Sequence, residues 1–224
     1  MKGSGPATDW VEIDQFDGGV GWIAYPDETL ERASHALVVD GELWLVDPVD
    51  AEGIDDLLAE YGEVAGVVVL LDRHKRDSAE FARRHGVSVW VPAFLDGVTE
   101  ELDAPVEQFR YDLADTGYAA HELVNNRFWQ EALLYGEDTG VLVVPEAVGT
   151  VEYFTAGTTR LGVHPVLRLF PPSKLTRLDP DRLLVGHGAG IHNDASGALE
   201  AAIDGARRRM PALYWKNFKG FVLG

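Results

Sequence analysis

The sequence predicts an α/β protein in which two β-sheets pack face to face with helices outside, and three observations predict it. Short alternating or apolar runs fill the first third, a β-α-β-α-β rhythm follows, and the second half again places strands before a helix. No stretch has the length or composition of a linker, so residues 1–224 are read as a single domain.

"WVEID" from Trp10, "VGWIAY" from Val20, "HALVVD" from His35 and "ELWLVD" from Glu42 read as antiparallel strands, and Asp40-Gly41 is a two-residue hairpin signal. After Pro48, Ile54, Leu57, Leu58 and Tyr61 recur at helical spacing, and Gly62 is placed as a stop. "VAGVVVLL" has no alternation, as expected of a strand covered on both faces. Ser78 to His85 reads as a helix with Asp77 before it as N-cap, and "VSVWVP" as the next strand. Later, "EALLY" and "VLVVP" flank the hairpin "GEDTG", "EAVGTVEYF" reads as a helix start, and "RLLVGHG" as a strand ending in a Gly-flanked His187. "DASGALEAAIDGARRR" is an amphipathic helix capped by Asp194 or Ser196.

Composition narrows the function. Nineteen Lys and Arg, mostly Arg, against 37 Asp and Glu give a formal net charge of −18, a field that repels phosphate backbones and anionic membranes. Nucleic acid and membrane are therefore not expected as partners. The acid surplus suits either an ordinary acidic protein or one from a high-salt, halophilic setting. With no cysteine, disulfides, thiolate metal sites and a Cys nucleophile are excluded, so any metal must sit on His, Asp or Glu. No run approaches the roughly 20 apolar residues that span a bilayer, and "MKGSGPATDW" lacks an apolar signal core, which reads as cytoplasmic. No G-x-S-x-G elbow, phosphate-binding P-loop or helix-opening G-x-G-x-x-G is present, and "GHGAG" follows a strand without the Lys that phosphate binding usually recruits.

From "HALVVDGELWLVDPVD" to "PDRLLVGHG" the chain resembles the metallo-β-lactamase fold superfamily. "DGELWLVDPVD" is similar to its early hairpin, ending here in Asp47, "GEDTGVLVVPEA" to its later hairpin, and "LLVGHG" to its terminal strand, with His187 in the place of the closing metal ligand. The resemblance implies a four-layer αββα sandwich of two mixed sheets. It also implies that the polar stretch Asp72, Arg73, His74, Lys75, Arg76, Asp77, Ser78 stands where H-x-H-x-D-H supplies a two-metal site. One register puts Asp72 and His74 on the first two His; the other puts Asp77 on the motif Asp and leaves Arg73, Lys75 and Ser78 on the His positions. Pro145-Glu146 replaces the usual Gly-Asp, and Asn125 or Asn126 stands nearest the place of the middle His, with His121 a few residues early.

The metal-ligand candidates implied are Asp72, His74, Glu146 and His187, with Asp77 as an orienting catalytic base. Such a donor set suffices for a single divalent ion such as zinc or manganese, or for none, while Arg73, Lys75 and Arg76 oppose a second. Two functional readings follow: a scaffold binding a small molecule or partner in its cleft without binuclear hydrolysis, or a mononuclear hydrolase of an ester, thioester or lactone. Each candidate also has a plain structural reading. Asp72, Arg73 and Arg76 suit an ion-pair cluster, Glu146 a helix N-terminus, and His187 a glycine turn, while His35, His85, His121 and His192 read as ordinary surface or core residues. His164, in the aromatic and Pro-rich "LGVHPVLRLFPP", is placed where such a fold builds a pocket wall.

Overall fold

A computed structural model describes residues 6–223, with side chains to residue 219. The chain opens with an antiparallel meander: β1 (Trp10–Phe16), β2 (Gly19–Ala24), β3 (Ala33–Val39) and β4 (Glu42–Val46). The β3–β4 turn is the Asp40-Gly41 pair, both with positive φ (52° and 84°), a geometry that matches the twist of the two strands. α1 (Ile54–Ala59), β5 (Glu63–Val68), α2 (Ser78–His85), β6 (Val89–Pro92), α3 (Asp96–Thr99) and β7 (Val106–Phe109) follow. Here β5, β6 and β7 extend the sheet in parallel with β4, completing seven strands in the order β1 to β7.

The second sheet is built from β8 (Tyr118–Asn126), β9 (Trp129–Gly136), β10 (Val141–Val144) and β13 (Arg182–Val185), ordered β13-β10-β9-β8. β13 pairs with β10 in parallel and the other pairs are antiparallel, so both large sheets are mixed. A small ribbon of β11 (Val148–Gly149) and β12 (Gly162–Val163) lies between β10 and β13 in sequence, and α4 (Ala195–Leu223) ends the chain.

Side-chain alternation separates three cores. Leu43, Leu45, Val67 and Val69 face outward to Ile54, Leu58 and Phe81 of α1 and α2. Trp44, Val46, Val68 and Leu70 face inward, where they meet Ala132, Leu134, Val141, Val143 and Leu184 of the other sheet. Leu133, Leu142, Val144, Leu183 and Val185 turn to the opposite outer side and pack on Leu199, Ile203 and Ala206 of α4. A period of two in strands covered on both faces makes this αββα sandwich.

The sheets also join at two corners. Leu71 bridges Glu131, and Ala132 N donates to Leu70 O at 2.8 Å. Arg32 bridges His187, and Ala33 N donates to Gly186 O at 3.0 Å. One expectation is corrected here: "EAVGTVEYF" does not start a helix. The amides of Glu146 and Ala147, which a helix would leave to solvent or a cap, are taken by the buried Glu131 carboxylate, and the segment continues as β11.

Candidate metal centre

Three loops meet at the carboxyl ends of the parallel strands. The segment after β5 carries His74, Glu146 follows β10, and His187 follows β13, as is usual for sites in open parallel sheets. One ligand atom from each of His74, Glu146 and His187 lies within 4.8 Å of the others, and the two imidazole rings sit 5.3 Å apart edge to face. Gly186 allows this approach: a Cβ there would lie 2.2 Å from Pro145 O and 3.2 Å from His74 Cε1.

The hydrogen bonds behind the rings fix their tautomers. His187 Nδ1 meets the carbonyl of Leu30 at 2.8 Å; a carbonyl only accepts, so Nδ1 carries the proton and Nε2 is bare. That Nε2 is buried and has no hydrogen-bond partner among the described residues. His74 Nδ1 lies 3.2 Å from Asp47 Oδ2. Asp47 is buried and pushed up to about 6 by burial, partly offset by Arg76 and the Leu70 amide, so at neutral pH it is ionised and accepts the Nδ1 proton. His74 Nε2 is then bare as well, 3.9 Å from Glu146 Oε2. Burial, then the charges of Arg76, Arg73 and Arg32, hold His74 well below the usual histidine range; burial, His74 and Arg76 do the same to His187. Both rings are therefore neutral, with bare lone pairs beside a carboxylate.

Glu146 is raised above the ordinary glutamate value, chiefly by burial, with Arg73 opposing. Arg73 Nε donates to its Oε2 at 2.7 Å while the guanidinium lies 4.1 Å over the Trp129 ring, so Arg73 covers the group from the solvent side. His164 takes the amide proton of Val166 on Nδ1, which leaves Nε2–H facing Glu146 Oε1 at 3.7 Å, packed by Trp129 and Phe154. The pocket-wall position read for His164 is thus next to the carboxylate. Burial and Arg73 depress His164 to about 4.

Arg76 closes the inner side. Its guanidinium donates to the carbonyls of Asp47 (2.8 Å), Gly186 (3.0 Å) and Ala33. Burial lowers it to about 10, still protonated at neutral pH. A fixed positive charge therefore stands beside the imidazoles.

Two of the residues singled out in sequence lie elsewhere. Asp72 does not join the group: its Oδ2 accepts from Gln130 N at 2.9 Å and its Oδ1 from Arg73 Nη1 at 3.0 Å, so it ties β9 to the loop. Asp77 is the N-cap residue of α2, its Oδ2 accepts from Asp50 N at 2.9 Å, and it lines a cavity of about 570 Å³ with Arg32, Asp50 and Arg76. Asp77 is not one of the three residues whose ligand atoms converge. Asn125 contacts Glu122 and Gln130 on the β8–β9 hairpin. Sequence reasoning missed Glu131, buried and raised to about 7 by desolvation, which accepts from Trp129 Nε1 and from the amides of Glu146 and Ala147 and so sets the backbone carrying Glu146. Its signal was a lone acid inside the apolar "EALLY".

No protein-family model matches the chain, and no curated protein matches it in sequence. Solved structures do match. DIM-1 metallo-β-lactamase exposed to ceftazidime aligns with TM-score 0.65 at 10% identity, covering 92% of this chain and 99% of its own. A metallo-β-lactamase from Pontibacter korlensis aligns with TM-score 0.65 at 13% identity over 89% and 99%. FIM-1 from Pseudomonas aeruginosa, in a mono-zinc form, gives 0.62 at 8% identity over 91% and 97%. The chain has the metallo-β-lactamase fold.

Proposed function

We propose that this protein holds one divalent cation, zinc or manganese, on His74, Glu146 and His187, and that its scaffold binds a small molecule or partner in the cleft without two-metal hydrolysis. The observation that carries the reading is the pair of bare Nε2 atoms converging on Glu146, each ring held from behind by a hydrogen bond to Asp47 or Leu30 O. Metal-binding imidazoles are typically oriented in this way. Two buried lone pairs beside a carboxylate repel one another, and a cation relieves all three. Two imidazoles and a carboxylate are an adequate donor set for zinc or manganese. The mono-zinc form of FIM-1 supports the compatibility of this fold with one ion. A second ion is opposed by Arg76, whose charge is pinned by three carbonyls, and by Arg73.

One feature favours the mononuclear hydrolase as a second reading: three protein donors leave a coordination position open. A bound ion would supply carbonyl polarisation and a more acidic water. In that reading Trp129, Phe154 and His164 wall the reacting group, Arg73 must swing from Glu146 to admit it, and the neutral His164 offers its Nε2–H as a hydrogen-bond donor.

Elemental analysis of protein purified without added metal tests the first reading. Close to one zinc or manganese per chain is expected, absent from the His187→Ala variant. Two ions per chain, with chelator-sensitive hydrolysis of a thioester or lactone, would overturn it.

A further inference from the structure

Charge is not spread evenly over this acidic chain. Residues 153–178 and 205–224 contain nine of its 19 basic residues and none of its 37 acidic ones. The fold brings the two stretches together: Arg207 Nε donates to Leu169 O at 2.8 Å, Tyr214 Oη to Pro165 O at 2.9 Å, and Asn217 Nδ2 to Tyr153 O at 3.1 Å. Lys216 Nζ donates to Thr155 O at 2.6 Å, so it faces the protein body.

Large apolar side chains stand out from the same region. On the loop, Val166 is 71% and Phe170 77% exposed, with Leu169 beside them; on α4, Trp215 is 61% and Phe218 59% exposed. Trp215 and Phe218 stack at 6.4 Å, and Lys219 Nζ lies 5.0 Å over the Trp215 ring. Arg208 falls on the Trp215 stripe of the helix and is exposed. Single exposed apolar residues are ordinary, but a group of large ones set among bases, with Asp204 and Glu152 only at its edges, marks a contact surface.

We propose that this face docks on the surface of an anionic lipid bilayer, with Phe170, Trp215 and Phe218 entering the headgroup–acyl boundary and Arg208 and Lys219 meeting the lipid phosphates. Exposed Trp and Phe beside Lys and Arg are the composition of interfacial helices. The alternatives fit less well. Symmetric pairing of two copies sets this basic face against itself, and head-to-tail pairing onto the acidic remainder builds a ring or a filament rather than a dimer. Single-stranded nucleic acid uses aromatic stacking but has no use for Val166 and Leu169. The expectation of membrane repulsion came from net charge averaged over the whole chain. At physiological ionic strength charges are screened over about 8 Å, so a surface meeting this face responds to the local bases. The contact is peripheral: among the described residues no helix is long and apolar enough to cross a membrane.

Flotation of the full chain with phosphatidylcholine vesicles, with and without phosphatidylglycerol, tests this. Binding is expected to the phosphatidylglycerol-containing vesicles and to weaken about tenfold or more in Phe170→Ser/Trp215→Ser/Phe218→Ser. Arg208→Glu/Lys219→Glu should weaken binding at low salt and matter less at high salt. Thermal melts by circular dichroism confirm that each variant is folded. Absence of flotation with either vesicle, or equal flotation of the triple variant and the unsubstituted protein, would overturn the proposal. A concentration-dependent dimer in sedimentation velocity that the triple variant dissolves would also overturn it and assign the face to a second copy.

Discussion

Among the described residues two groups combine histidines with a buried acid, and of these two one brings together donors that could hold a cation. At His74, Glu146 and His187 the back nitrogens are occupied and two bare Nε2 atoms converge on a carboxylate. Around Asp14 the same residue types occur, but one of the two histidines is turned to donate to the acid. Asp14 accepts from Gly190 N at 2.8 Å and from His192 Nε2 at 2.8 Å, while His35 donates Nε2–H to Val185 O at 2.9 Å and leaves Nδ1 3.9 Å from the acid. There the carboxylate is already satisfied by donors, and the group ties β1 and β3 to the segment after β13. His35 Nδ1 is buried and bare, as His187 Nε2 is; what separates the two groups is that a second bare imidazole nitrogen faces Glu146, whereas the second histidine at Asp14 donates to the acid.

The comparison breaks most plainly on metal retention. His74→Ala and His187→Ala should each lower zinc affinity by about a hundredfold or more in calorimetric titration, whereas His35→Ala should leave stoichiometry at one while lowering the melting temperature. Equal losses from all three would place the ion elsewhere. The supporting acids give the next largest contrast. Asp47→Asn should weaken zinc binding by about ten- to a hundredfold because His74 loses the acceptor that fixes its tautomer, and Asp14→Asn should change stability alone. A smaller effect of opposite sign is expected of Arg73→Ala, which frees Glu146 Oε2 and should tighten zinc binding by about threefold in the same titration. Smallest is the response of the whole charged surface: if the −18 charge is a high-salt adaptation, screening should raise the melting temperature by a few degrees between dilute buffer and molar KCl. A flat or falling curve rejects that reading.

Much of the scaffold was legible because its signals are local. The apolar runs gave β4, β5, β10 and β13, the Asp40-Gly41 pair gave the turn, helical spacing with a glycine stop gave α1, and the stretch from Ser78 with Asp77 before it gave α2. β8 escaped because "YAAHELVNN" is half solvated and mixes small with polar residues. α4 runs past the expected Arg209 and through Pro211, whose ring lies on an exposed side of the helix, where a proline is tolerated. The resemblance brought attention to His74, Glu146 and His187, three residues that the structure places together. It could not show which way Asp72 turns, since that depends on a backbone amide at Gln130, far away in sequence. Asp47 and Glu131 set the group from behind, through contacts between elements that no spacing in the chain encodes.

The cluster draws on positions 74, 146 and 187, one from the first sheet and two from the second. In the unfolded chain these points are separated by loops of roughly 70 and roughly 40 residues, whose closure carries a large entropy. A cation gripping all three would act as a clip across the sandwich, absent from any partly folded state in which the sheets have not yet met. Unfolding should then become a metal-dependent rate, with chelator shortening the native lifetime before any activity is measured.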